Sequence, residues 1–231
     1  MDIQKKSEGQ LVESTAMGRL SFLKYAGLSV VGSTLLLQAC KKDDDDPMAI
    51  NLGSGDTGIL NYAYALEQLE AAFYTQVVQN EYSSMTTTER DILNDIQKHE
   101  VAHREFFKAA LGSAAIPALE VDFSSIDFNS RSSVLNTAKA FEDLGVGAYN
   151  GAGKLIVTAD YLVLAGKIVS VEARHAAAIR SLLSPGTASF AGDDIVTAST
   201  GLDSAKTPSE VLAVAKSYLK STLSASNLPT S

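Results

Sequence analysis

Two short stretches decide how this chain folds: Glu100-Val101-Ala102-His103 and Glu172-Ala173-Arg174-His175. Each sets a carboxylate and an imidazole three residues apart inside a segment with helical periodicity. At that spacing both side chains leave one helix face, about one turn apart. The chain has 3 histidines, and two of them sit in these repeats. Two such helices facing each other would frame a cage for metal ions.

The repeats are part of a longer duplication. Glu67 stands seven residues before Tyr74, and Glu142 stands seven residues before Tyr149. The chain therefore reads twice as Glu…Tyr followed by Glu-x-x-His. Stripes at spacings of three and four predict helices from Ile59 to about Asn80, Thr87 to about Leu111, Ser132 to Gly153 and Ala159 to Leu183. Asp56 or Thr57 is the expected cap of the first helix, and Thr86 or Thr87 with Glu89 reads as the start of the second. Residues 112–130 lack helical periodicity, and Val121, Phe123, Ile126 and Phe128 alternate as an extended segment does. A connection that long lets the third helix run parallel to the second. Thr207-Pro208-Ser209-Glu210 opens a last short helix, with Thr at the cap and Pro at the first position. The predicted fold class is all-α: a four-helix bundle over 59–185 with a long crossover between helices two and three, then an extension over 186–231 carrying the short helix. Gly145 and Gly147 either weaken the third helix or admit a close neighbour.

Four helices so arranged bring Glu67, Glu100, Glu142, Glu172, His103 and His175 to one centre. Four buried carboxylates without cations would repel each other and carry a large desolvation cost. Two divalent ions would bring the formal charge to zero. Oxygen and imidazole donors without thiolate suit iron or manganese equally. In this reading Glu100 and Glu172 bridge the ions, His103 and His175 bind one each, and Glu67 and Glu142 are outer ligands. Tyr74 and Tyr149 are placed to donate hydrogen bonds to ligating carboxylates. Glu70 reads as a surface residue, with a ligand or hydrogen-bonding role as the alternative. His99, rotated about 100° from Glu100, is expected to lie outside the site.

Composition narrows the function classes. The net charge is −8, which argues against a nucleic-acid partner. One cysteine, Cys40, excludes an internal disulfide and any Cys-x-x-Cys site. Its surroundings mark residues 1–40 as an export segment. Lys5, Lys6, Arg19 and Lys24 precede a short apolar run from Tyr25 to Leu37, which is followed by Gln38-Ala39-Cys40. Leu37-Gln38-Ala39-Cys40 resembles a bacterial lipobox, with Gln38 where a small residue is usual. Arg19-Leu20-Ser21-Phe22-Leu23-Lys24 resembles a twin-arginine signal, with Leu20 in place of the second arginine. An uncleaved anchor helix is the alternative. Lys41-Lys42-Asp43-Asp44-Asp45-Asp46 begins a charged tether over 41–58 and resembles the surface-export tag of some Gram-negative lipoproteins. The expected location is the cell envelope, lipid-anchored, facing the periplasm or the cell surface.

Asn61-Tyr62-Ala63-Tyr64-Ala65-Leu66-Glu67-Gln68-Leu69-Glu70-Ala71-Ala72-Phe73-Tyr74 and Val171-Glu172-Ala173-Arg174-His175-Ala176-Ala177 resemble the exported bacterial ferritin-like domain family, which is related to desiccation-related proteins. The resemblance spans about residues 56–220. It implies a ferritin-like bundle with a metal site at the six positions above, all of which match. It implies no settled reaction, since similar bundles occur in ferritins, bacterioferritins, rubrerythrins and manganese catalases. A cysteine-rich electron-transfer module of the rubrerythrin kind is absent. Two expectations follow. One is a dinuclear iron or manganese protein reacting with peroxide or dioxygen, or oxidising Fe(II), in stress defence. The other is a non-catalytic metal-binding or desiccation-related envelope protein whose site is structural. A bundle that has lost its metal is a third outcome.

Overall fold

The computed structural model describes residues 48–230. The export segment, Cys40 and most of the charged tether lie outside the described residues. Helix α1 spans Gly55–Gln79, α2 Thr87–Leu111, α3 Arg131–Gly153 and α4 Ala159–Leu183. The chain packs as two hairpins, α1 on α2 and α3 on α4, and the hairpins meet through α1 with α3 and α2 with α4. This is an all-α four-helix bundle, and the short helix α5, Pro208–Ala215, is added to it.

Helix α1 is the most enclosed. Its Ala- and Leu-rich middle is buried nearly all round, from Asn61 to Ala71. It begins four residues earlier than its apolar stripe, with Ser54 at the cap position and no side-chain cap. Asp56 cannot serve as the cap because its carboxylate is used elsewhere. It accepts the backbone N–H groups of Val157 and Thr158, both at 2.8 Å, and so anchors the entry to α4.

Helix α2 starts with a capping box: Thr86 Oγ1 accepts from Glu89 N at 3.2 Å, and Glu89 Oε2 accepts from Thr86 N at 2.8 Å. It stops at Gly112, whose φ of 54° favours glycine. The crossover then lies along the bundle, held by two buried amides of α1. Asn61 accepts from Ile116 N and donates to the carbonyls of Leu52 and Ala114. Gln68 accepts from Leu119 N at 2.8 Å. Phe123 and Ile126 are buried, as the alternating pattern predicts. At its far end Arg131 donates to Glu89 at 2.6 Å and to the carbonyl of Leu182 at 2.8 Å, joining the start of α3 to α2 and α4.

Beyond α4 the chain folds back over the second hairpin. Strands β2 (Val196–Thr197) and β3 (Leu202–Asp203) pair antiparallel, while β1 (Ile50–Asn51) and β4 (Leu223–Ser224) pair in parallel. Helix α5 is opened by the predicted capping box of Thr207 and Glu210 and buries Val211 and Ala215. Arg180 is 3% exposed and clasps Asp143 and Asp194, each through two contacts of 2.8–3.0 Å. The strap before α5 crosses α3 at glycines. Lys206 N donates to Gly147 O at 2.9 Å, and a Cβ on Gly151 would lie 1.8 Å from Lys206 O. Gly147 thus admits a close neighbour, the second of the two expected roles. Among the described residues no helix is long and apolar enough to cross a membrane.

The glycines make opposite predictions. Gly151→Ala must displace the strap and is expected to cost about 1–3 kcal/mol. Gly166, mid-way along α4, has nothing within 4 Å of an added Cβ. Gly166→Ala is expected to add about 0.5–1 kcal/mol. Urea unfolding of both variants measures the two effects.

Candidate metal centre

All six predicted residues meet inside the bundle. Glu67 comes from α1, Glu100 and His103 from α2, Glu142 from α3, and Glu172 and His175 from α4. The four glutamates are 0% exposed. They form two overlapping groups: Glu67, Glu100, His103 and Glu172, and Glu100, Glu142, Glu172 and His175. In each group one donor atom per residue lies within 4.8 Å of all the others. Glu100 and Glu172 belong to both groups, so they occupy the middle of the cluster. His103 Nδ1 is 3.0 Å from Glu172 Oε1 and 3.4 Å from Glu67 Oε2. His175 Nδ1 is 2.8 Å from Glu100 Oε1 and 3.5 Å from Glu142 Oε2. These contacts are short but lack hydrogen-bond geometry, leaving both Nδ1 atoms without a partner.

The tyrosines act across the duplication. Tyr74 of α1 donates to Glu142 Oε1 of α3, and Tyr149 of α3 donates to Glu67 Oε1 of α1. Neither reaches the glutamate of its own helix, since seven residues are about 10 Å of helix rise. Each outer glutamate therefore has one oxygen fixed and one left over. The buried atoms at the centre without a hydrogen-bond partner are Glu67 Oε2, Glu142 Oε2, both oxygens of Glu100, both of Glu172, and the Nδ1 atoms of His103 and His175. Buried polar atoms are ordinarily paired. Eight orphans from six residues in two overlapping groups are a donor set that metal ions would satisfy.

Two residues enter that sequence reasoning placed elsewhere. Glu70 is not a surface residue. It is 4% exposed, and its Oε1 would lie 3.1 Å from a Cβ on Gly145, with Glu172 Oε2 at 3.3 Å. Gly145 thus leaves room for two carboxylates, which explains that glycine. The signal was present: Glu70 follows Glu67 by three residues, the spacing that unites Glu100 with His103. His99 does not stand apart either. Its Nδ1 lies 2.9 Å from His175 Nε2, because the flank of α2 beside Glu100 faces α4.

Burial sets the protonation of the centre. It raises Glu67 to about 7 and Glu142 to about 6, against the pull of His103 and His175 respectively. Burial and the surrounding carboxylates push Glu70 and Glu172 well above the carboxylate range. Burial also opposes ionisation of Glu100, yet the two imidazoles hold it down at about 2. Burial disfavours charge on the imidazoles too, but their carboxylate neighbours lift His103 to about 12 and His175 to about 10. Without metal, then, protons serve as the counter-charges of the cluster.

An apolar cleft of about 20 Å³ lies at one end of the bundle. Leu66, Phe107, Tyr149 and Ile168 line it, Tyr149 being the donor to Glu67, and none of the six central residues does. That volume admits about one water-sized molecule.

A family model described as the ferritin-like domain matches residues 55–185, more than half of the chain. No curated protein matches it.

The protonation pattern predicts how the metal-free protein responds to pH. Glu70, Glu172, His103 and His175 all bind protons more tightly folded than unfolded. Their contribution is present at low pH and is lost as pH rises. His99, whose shift is downward, opposes them only below 6.5. The melting temperature of metal-free protein is expected to fall from pH 6.5 to 10. Divalent iron or manganese is expected to restore it, which thermal scans at several pH values check.

Proposed function

The chain belongs to the ferritin-like domain family, and we propose that it is an exported, lipid-anchored protein whose buried cluster holds two divalent ions, iron or manganese, for reaction with peroxide or dioxygen or for oxidation of Fe(II). The observation that carries the metal reading is the set of eight unpartnered buried donor atoms. Glu67 Oε2 and His103 Nδ1 would hold one ion, and Glu142 Oε2 and His175 Nδ1 the other. Glu100 and Glu172, each with two free oxygens, would serve both. The donors are oxygen and imidazole alone, the set that suits iron and manganese. Bound there, such ions supply electron-transfer and Lewis-acid chemistry.

The protein's own groups have separate tasks. Tyr74 and Tyr149 fix the outer glutamates by one oxygen each and so orient the other. Glu70 lies beside Glu172 at Gly145, and burial with the surrounding carboxylates raises it well above its ordinary value. Export and lipid anchoring rest on the sequence up to Cys40, and stress protection follows from an oxidant-consuming site in the envelope.

A structural role for the metal is the second reading. It is favoured by the cost of enclosing this cluster without cations, which metal would relieve whether or not it turns over. Metal-loaded protein mixed with Fe(II) and oxygen, or with peroxide, separates the two readings. The redox reading expects repeated turnover that Glu100→Ala abolishes along with metal retention. The structural reading expects no turnover and a lower melting temperature in the same variant.

A further inference from the structure

The duplication is broken beside the centre. In the first half the residue before the glutamate of Glu-x-x-His is His99, and in the second half it is Val171. His99 reaches across from α2 to the imidazole of α4. Its Nδ1 is 2.9 Å from His175 Nε2, with ring planes 8° apart and centroids at 5.1 Å. Val171, the counterpart on α4, has no polar atom to offer His103. The His103 side chain is 13% exposed against 5% for His175.

The two imidazoles are therefore not equivalent as ligands. His175 can give its Nδ1 lone pair to a metal only when its ring proton sits on Nε2. That proton needs an acceptor, and His99 Nδ1 stands at hydrogen-bond distance. Such a partner fixes the tautomer and the ring orientation of a ligating histidine. His103 Nδ1 faces the cluster in the same way, but among the described residues its Nε2 has no protein partner. Its proton is left to solvent.

Resting on the dinuclear reading above, we propose that His99 is a positioning residue that fixes His175 for ligation, so that the Glu142/His175 position is the tighter of two unequal metal positions and the Glu67/His103 position is the exchangeable one. Loading is then sequential, and the first half of the duplication, which carries Glu67 and His103, supplies the labile ion.

Titration of the metal-free full-length protein with Mn(II), following free Mn(II) by electron paramagnetic resonance at constant pH, tests this. The wild type is expected to show two classes of binding. His99→Ala is expected to weaken the tight class by about 10–100-fold and leave the weak class unchanged. His99→Asn places an amide oxygen where Nδ1 stood and is expected to recover most of the loss. Glu142→Gln should remove the tight class and Glu67→Gln the weak one. His99 is exposed, so melting temperatures near wild type are expected for both His99 variants. The inference is overturned if His99→Ala leaves the tight class unchanged, if it weakens both classes equally, or if His99→Asn does not recover it. A wild-type protein that binds no Mn(II) overturns the dinuclear reading too, whereas two ions bound without regard to residue 99 overturn this inference alone.

Discussion

Five carboxylates share the interior of this bundle with two imidazoles, and the fold must answer for their charge. Glu67, Glu100, Glu142 and Glu172 are fully enclosed, Glu70 nearly so, and among the described residues no arginine or lysine joins them. Burying one unpaired carboxylate is costly, and burying several together multiplies the repulsion. The cationic side chains that are buried or partly buried serve other purposes. Arg180 binds the C-terminal extension to α3 through Asp143 and Asp194, and Arg131 ties three helix ends together. What neutralises the centre is therefore either protons, as the raised values of Glu70 and Glu172 indicate, or metal ions. A cluster whose eight orphaned atoms point inward is arranged for the second.

The surrounding structure keeps that arrangement in register. Each hairpin supplies half of the donors, and the tyrosines tie the halves together by crossing from α1 to α3 and back. The crossover is pinned along α1 by Asn61 and Gln68, which fixes how the second hairpin meets the first. Asp56 holds the entry to α4. Small residues appear where backbones or carboxylates approach, at Gly145 for Glu70 and Glu172 and at Gly151 for the strap. These polar anchors lie away from the centre, so the central donors are left free of competing bonds.

Much of this was legible in the chain. Helix periodicity located all four helices, because each carries apolar residues at spacings of three and four. The duplicated Glu…Tyr and Glu-x-x-His pattern identified the six central residues, since helical spacing alone puts both members of a pair on one face. Spacing within a helix says nothing about partners across helices, however. The exchange of tyrosines between halves, the reach of His99 to His175 and the burial of Glu70 all depend on which helices become neighbours. The start of α1 was also hidden, because Asp56 reads as a cap in sequence and is spent on α4 in space. Gly151 could not be read at all, as its reason is a strap more than fifty residues later.

The central claim is that one enclosed cluster, built from both halves of a duplicated bundle, holds two divalent ions. Anomalous diffraction from crystals of Mn(II)-loaded protein tests it most directly. The account predicts two peaks per chain, one beside Glu67 and His103 and one beside Glu142 and His175, with Glu100 and Glu172 between them. An empty interior under those conditions, or ions held only at surface carboxylates, would contradict it.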